Sequence, residues 1–135
     1  MTYKQYVQKF GREFGEPEDF KYGMEKACYW NAACRALRDK DLTYVEGVGH
    51  AWVVNAADRV IEVTWSRSAS YEAVHDMGIR YYGVTYRTEW LREVVERRGG
   101  LMIMESGLHV SLPSLDYLVF EPLGWEALAA GIKPQ

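Results

Sequence analysis

This sequence has no excess of positive charge and no long apolar run. Its 16 lysine and arginine residues are outnumbered by 19 aspartate and glutamate residues, which gives a formal charge of −3. No segment concentrates enough cations to neutralise a row of phosphates, so we do not expect nucleic acid as a partner. No apolar stretch approaches the ~18–20 residues of a membrane span, and residues 1–16 lack the continuous apolar region of a signal peptide. We therefore predict a cytoplasmic protein without a membrane partner.

Cysteine is also scarce. The chain has two cysteines, Cys28 and Cys34, and no second pair of ligands completes a zinc site beside them. On one helix, a separation of six residues turns the second side chain about 240° away from the first. A disulfide between them is therefore not expected, and a reducing cytosol favours the same conclusion. His75 and His109 have no ligand-spaced partners, so we expect no metal and no cofactor.

The residues that are present predict one folded domain over 1–135. Apolar residues make up 48% of the chain and aromatic residues 14%, which is typical of a globular protein. Apolar spacing predicts helices over 2–14, 24–38 and 88–98, and β-type runs predict strands within 42–55, 59–65, 79–86, 101–104 and 116–120. Residues 66–78 read as irregular, and the tail from Trp125 as a short helix or a loose end. The fold class predicted is α+β, with the cysteine-bearing helix on an antiparallel sheet.

Three residue types that cooperate in thiol catalysis occur in the order Cys28, His50, Glu62. A thiol nucleophile needs a nearby imidazole to hold it as thiolate, and the imidazole needs a third group to fix its tautomer. Cys28 lies in the first turns of a predicted helix, where the helix dipole favours an anion. Cys34 lies further along that helix, and we expect it only to pack.

The register of one hairpin decides whether His50 and Glu62 can meet. If residues 56–58 form a three-residue loop, Trp52 faces Glu62, and His50 is the diagonal neighbour of Glu62 on the same sheet face. Diagonal neighbours lie about 7–8 Å apart, within reach of a glutamate side chain. A loop one residue longer places His50 and Glu62 on opposite faces.

Several residues near this constellation admit two interpretations. The tryptophans at 30, 52 and 65 either wall a water-poor cleft or belong to the core, and we expect core for at least two of them. Asn31 could cap, support helix packing, or donate a hydrogen bond to a bound carbonyl. The oxyanion donors expected are the backbone N–H of Cys28 and one group from residues 20–25.

Five strings carry a resemblance to a known group of proteins: CYWNA (28–32), YVEG (44–47), HAWVV (50–54), VIEVTW (60–65) and YYGV (81–84). They resemble a pattern found in small bacterial and phage proteins. That pattern is similar in order and layout to the papain-like and transglutaminase-like cysteine protease superfamily. The resemblance implies a helix-borne nucleophile at Cys28 and a base at His50. Glu62 stands where the pattern has aspartate, and Asn55 also stands where it often has aspartate, so either residue could orient His50.

The function expected is thiol-dependent acyl chemistry, which is hydrolysis of an amide or ester or acyl transfer to an amine, on a protein, peptide or small amide. The alternative is a catalytically inactive phage or accessory binding protein on the same fold, acting on a host protein in the host cytoplasm. A third interpretation is that Cys28 and His50 merely pack together, which predicts an inert thiol.

Overall fold

The computed structural model describes residues 2–21, 23, 24, 26–97, 101–104, 107–110 and 124. Within this part of the chain there are four helices, α1 (Tyr3–Phe10), α2 (Cys28–Arg38), α3 (Arg67–His75) and α4 (Thr88–Arg97). The strands are β1 (Arg12–Glu13), β2 (Asp19–Phe20), β3 (Thr43–Glu46), β4 (Ala51–Val54), β5 (Val60–Glu62), β6 (Tyr82–Tyr86), β7 (Leu101–Met104) and β8 (Gly107–Val110). The predicted α+β class is therefore correct.

Six strands form one sheet in the order β1-β6-β3-β4-β5-β2. All neighbours are antiparallel except β2 and β5, which run parallel. Strands β7 and β8 form a separate antiparallel pair. Helix α2 packs on the central strands β3 and β4, and its alanines, including Ala32 and Ala33, are buried at that contact, because small side chains allow close approach.

Alternation along β4 divides the core between the two sheet faces. Ala51 and Val53 join the cluster formed with α1, α2 and α4, whereas Trp52 and Val54 join a second cluster that contains Phe14 and Tyr81. Strand β4 is buried along its whole length. The end of this strand that bears His50 is thus held from both sides of the sheet.

A buried carboxylate joins the first of these clusters to a distant part of the chain. Glu46 is inaccessible to solvent and accepts hydrogen bonds from the hydroxyls of Tyr3 and Tyr44. The backbone N–H of Gly124 donates to the same carboxylate at 3.0 Å. Glu46 therefore ties α1, β3 and residue 124 together.

Helix α1 is shorter than predicted. Thr2 caps it in a capping box with Gln5, as its sequence indicates, but the helix ends at Phe10 and not at Phe14. The residues that follow Gly11 pair with β6 instead, in the register of Arg12 with Gly83. Phe14 is buried against the Trp52 ring, with ring centroids 6.1 Å apart. Its apolar character reflects this tertiary contact and not a continued helical face.

Residues 66–78 are also not irregular, because they contain α3. The Ser66 hydroxyl caps this helix by accepting from the Ala69 N–H at 3.2 Å. Only Ser70 and Ala73 of the helix are buried, so it lacks the apolar stripe by which helices are recognised in sequence. The strand predicted at 101–104 is present as β7. The strand predicted at 116–120 and the tail from Trp125 lie outside the described residues.

Among the helices described here, none combines the length and the apolar character that crossing a bilayer requires.

Candidate active site

The hairpin between β4 and β5 has the register that brings His50 and Glu62 to one face. Val54 pairs with Val60 and Val53 with Ile61, and the Asn55 N–H donates to the Arg59 carbonyl at 3.0 Å. The loop therefore has three residues, and of the two registers that the sequence leaves open this is the one that places His50 and Glu62 on the same face. The two side chains meet, with 2.6 Å between His50 Nε2 and Glu62 Oε1. Side-chain exposure is 5% for His50 and 0% for Glu62, so the pair is removed from water.

Four hydrogen bonds fix the Glu62 carboxylate. Its Oε2 accepts the backbone N–H groups of Thr64 at 2.8 Å and Trp65 at 3.1 Å. Its Oε1 accepts from His50 and from the Tyr81 hydroxyl, the latter at 2.8 Å. Burial by itself raises the pKa of Glu62, but the hydrogen bonds and the charge of His50 outweigh it and lower that pKa. Glu62 is therefore an ionised acceptor at neutral pH.

Cys28 acts on the other side of His50. It is the first residue of α2 and is partly exposed. Burial lowers the pKa of His50, whereas hydrogen bonding and charge from Cys28 and Glu62 raise it, with a net rise to about 9. Because Nε2 is bound to Glu62, the ring nitrogen left for Cys28 is Nδ1. The imidazole is therefore placed between a thiol and a carboxylate and is cationic at neutral pH.

The start of α2 at Cys28 departs from the prediction of a helix from residue 24. Asn31 explains the difference, because its side chain bonds the backbone of Met24 twice, donating to the carbonyl at 2.7 Å and accepting from the N–H at 3.1 Å. It also donates to Thr64 Oγ1 at 2.9 Å. Lys26 adopts a left-handed conformation with φ of 62°, which no helix continues through. Cys28 therefore lies at the very N-terminus of the helix.

The same contacts assign Asn31 to support of the loop. Its amide is occupied by Met24 and Thr64 and does not serve a bound carbonyl. The backbone N–H of Cys28 belongs to the first turn, whose N–H groups have no partner within a helix, and it remains the oxyanion donor expected from sequence. Of the 20–25 segment from which a second donor was predicted, Tyr22 and Glu25 lie outside the described residues.

Asn55 does not orient His50. Its Oδ1 accepts the backbone N–H groups of Ala57 and Arg59, both at 3.0 Å, inside the hairpin loop. The orienting contact is made by Glu62 despite its extra methylene. Of the two acceptors that the sequence leaves open, the structure brings Glu62 to the imidazole and places Asn55 in a turn.

The three tryptophans divide between core and wall. Trp30 and Trp52 are buried, at 8% and 0% exposure, and Trp52 packs against Tyr81 with 5.1 Å between ring centroids. Trp65 stacks on His50 with centroids 3.7 Å apart and planes 5° from parallel. Its ring covers one face of the imidazole, which keeps water away from the hydrogen bond with Glu62 and so strengthens it.

Cys34 has different surroundings from Cys28. Burial raises its pKa to about 11, although Arg38 and Arg35 act in the opposite direction. Its thiol is therefore protonated at neutral pH, as expected for a cysteine that only packs. His75 pairs with Glu16 on the surface at 3.1 Å. In the described part of the chain, no three His, Cys, Asp or Glu side chains are grouped to hold a metal ion.

Sequence reasoning missed Tyr81 and Ser70. The Tyr81 hydroxyl donates to Glu62, and Ser70 Oγ lies 2.7 Å from the Tyr81 hydroxyl oxygen. Tyr81 falls within the matched string YYGV, which was the only available signal. Ser70 lies in the segment read as irregular, so nothing in the sequence indicated that it approaches the site.

The chain matches no protein-family model, no curated protein and no solved structure.

Proposed function

We propose that the protein carries out thiol-dependent acyl chemistry through Cys28, His50 and Glu62. The observation that carries the proposal is the buried contact of 2.6 Å between His50 Nε2 and Glu62 Oε1, with Cys28 acting on the same imidazole from a helix N-terminus. A histidine held between a carboxylate and a partly exposed thiol is the arrangement that activates a thiol nucleophile.

The layout also supports a papain-like or transglutaminase-like core. In that superfamily a helix-borne cysteine faces a histidine and an acid on adjacent antiparallel strands. Here Cys28 begins α2, His50 immediately precedes β4, and Glu62 ends β5. A shared fold does not determine the reaction, which depends here on the three side chains.

The reaction proceeds in two stages. The Cys28 thiolate attacks the carbonyl carbon of an amide or ester, and the oxygen becomes an oxyanion that the Cys28 N–H stabilises. The C–N or C–O bond then breaks as the His50 imidazolium gives its proton to the leaving amine or alkoxide, leaving a thioester on Cys28. Water or an amine next attacks the thioester, gives its proton to His50, and releases the acid or a new amide with the thiolate restored.

Glu62 keeps the imidazole aligned for this proton transfer. Its carboxylate holds Nε2, which directs Nδ1 toward Cys28 and stabilises the positive charge on the ring. The site thus supports an acyl substrate of the protein, peptide or small-amide class. Hydrolysis and transfer differ only in which acceptor reaches the thioester.

Selective alkylation of the two cysteines tests this function. With iodoacetamide at pH 7, followed by digestion and mass spectrometry, we expect Cys28 to be labelled at least about 100-fold faster than Cys34. A thiol with a pKa of about 11 is thiolate in only about one molecule in 10⁴ at pH 7, and only the thiolate reacts. In the denatured protein the two rates should be similar. Equal rates in the folded protein would remove the case for an activated thiol.

The alternative is an inactive protein that binds a host partner, and a glutamate at the acid position is one reason to consider it. The short contact of Glu62 with His50 weighs against that reason. A folded Cys28→Ser variant separates the two functions. Loss of acylation of the protein by p-nitrophenyl acetate at position 28 is the result expected for chemistry, whereas a biological effect retained in full by this variant favours binding.

A further inference from the structure

Beyond Glu62, the buried hydroxyls of Tyr81 and Ser70 extend the hydrogen-bonded network of the site. The Tyr81 hydroxyl lies 2.8 Å from Glu62 Oε1, the oxygen that also contacts His50, and 2.7 Å from Ser70 Oγ. Tyr81 is 3% exposed and Ser70 2% exposed. Neither hydroxyl takes part in the bond-making or proton-transfer steps proposed above.

The donor and the acceptor of each hydrogen bond in this network can be assigned. An ionised carboxylate can only accept, so the single hydroxyl proton of Tyr81 points to Glu62. The Tyr81 oxygen is then free to accept, and Ser70 must donate to it. The order is Ser70 to Tyr81 to Glu62, with His50 donating to Glu62 from the other side.

We propose that Tyr81, supported by Ser70, is a positioning residue that sets the strength with which Glu62 holds the His50 proton. This inference rests on the proposed function. Because Tyr81 and His50 donate to the same Oε1, the tyrosine reduces the proton affinity of that oxygen. The Nε2 proton shared between His50 and Glu62 consequently stays on the imidazole, and the ring keeps its positive charge until Nδ1 gives its own proton to the leaving group.

The titratable groups that contact or act on His50, Glu62 and Tyr81 come from several parts of the fold. Cys28 faces His50 from α2, Glu62 from β5, and Tyr81 reaches Glu62 from the residue before β6. Glu16 acts on Tyr81 through its charge. Burial and the Glu62 charge raise the pKa of Tyr81, so its hydroxyl remains a donor throughout the range in which His50 titrates.

The charge of His50 can be measured without a substrate by comparing the rates at which two alkylating reagents modify Cys28. Iodoacetate is an anion and iodoacetamide is neutral, and both react with the same Cys28 thiolate. The ratio of their rates therefore cancels the thiolate fraction and reports the attraction of the anion by the adjacent imidazolium. As His50 loses its proton with rising pH, the ratio falls, and the midpoint of the fall is the pKa of His50.

For Tyr81→Phe we expect this midpoint to move upward by about half a pH unit, because a carboxylate with one donor fewer holds the imidazolium more strongly. We also expect the plateau rate with iodoacetamide to fall about fivefold, because the Glu62 carboxylate loses one of the four hydrogen bonds that fix its position. Ser70→Ala should move the midpoint in the same direction by a smaller amount. The matched control is Tyr82→Phe, which removes a neighbouring hydroxyl that donates to the Gln8 and Gly11 carbonyls.

A loss of packing alone would lower the rate in Tyr81→Phe without moving the midpoint. An unmoved midpoint, or the same shift in Tyr82→Phe, overturns the proposal. Failure of the proposed function looks different, because His50→Gln would then leave Cys28 alkylation unchanged. If His50→Gln slows alkylation while Tyr81→Phe leaves the midpoint in place, the three-residue chemistry stands and only the role of Tyr81 is lost.

Discussion

Replacement of His50 by alanine is expected to slow the alkylation of Cys28 by iodoacetamide at pH 7 by at least about tenfold. Without the imidazole, the thiol loses both the base that takes up its proton and the adjacent positive charge that favours attack by the sulfur. The rate is measured by mass spectrometry of the Cys28 peptide, with the Cys34 peptide as internal reference.

Two further variants separate this effect from damage to the fold. His50→Gln nearly preserves the side-chain volume beneath the Trp65 ring, so it should slow Cys28 while leaving the unfolding transition cooperative. His75→Ala removes the surface imidazole paired with Glu16 and should leave Cys28 unaffected. If His50→Ala and His75→Ala give the same rate as the parent protein, His50 does not activate the thiol.

The second large effect is expected for Glu62→Gln, which should lower Cys28 reactivity by about tenfold or more. Two backbone N–H groups, from Thr64 and Trp65, converge on the Oε2 position, so the amide oxygen must lie there. The NH₂ group then faces His50 and donates to Nε2. This reverses the tautomer, puts a proton on Nδ1, and leaves His50 unable to accept the Cys28 proton.

The same substitution should lower the free energy of unfolding by about 1–3 kcal/mol, because the buried Tyr81 hydroxyl loses its acceptor. Denaturant unfolding measures the change in the free energy of unfolding, and alkylation kinetics under native conditions measure the change in Cys28 reactivity. Asn55→Ala is the contrasting variant. It removes only the two loop hydrogen bonds and should cost about 1 kcal/mol of stability without any change in reactivity. Unchanged reactivity in Glu62→Gln together with its loss in Asn55→Ala would transfer the orienting role to Asn55.

Local patterns were sufficient to predict the hairpin on which the site depends. The β-branched and aromatic residues on either side of residues 56–58 define two strands, but the sequence leaves open a loop of three residues or one residue longer, and only the shorter loop gives the register that places the His50 and Glu62 side chains on one face. From that register follows the meeting of His50 and Glu62. The choice of Glu62 over Asn55 could not be made in the same way, since it depends on the hydrogen bonds that Asn55 forms within its own loop.

The remaining errors come from contacts between residues distant in sequence. Helix propensity extends from residue 24, but the helix begins at Cys28 because Asn31 binds Met24 and Thr64, and Thr64 is 33 residues away from Asn31. Likewise, Phe14 fits the helical period of the first segment and is instead buried beside Trp52. Propensity acts over a few residues, and tertiary contacts override it at these positions.

Ser70 and Tyr81 illustrate the same limit at the site. Helix α3 has few buried residues, so no apolar stripe marks it, and its contribution to the site is one hydroxyl. Only the packing of α3 near the segment that precedes β6 brings Ser70 to Tyr81.

The most direct test of a thiol paired with an imidazolium is the pH dependence of the iodoacetate to iodoacetamide rate ratio at Cys28 in the unmodified protein. The pKa of His50 is raised from its ordinary value of 6.5 to about 9, so the ring is charged below that pH and neutral above it. The ratio should therefore be high and constant from pH 6 to about 8, fall with a midpoint near 9, and show no such fall in His50→Gln. A ratio that stays constant across the whole range would show that no imidazolium lies beside the Cys28 thiolate, and a fall near pH 6.5 would show that Glu62 and Cys28 do not stabilise the imidazolium.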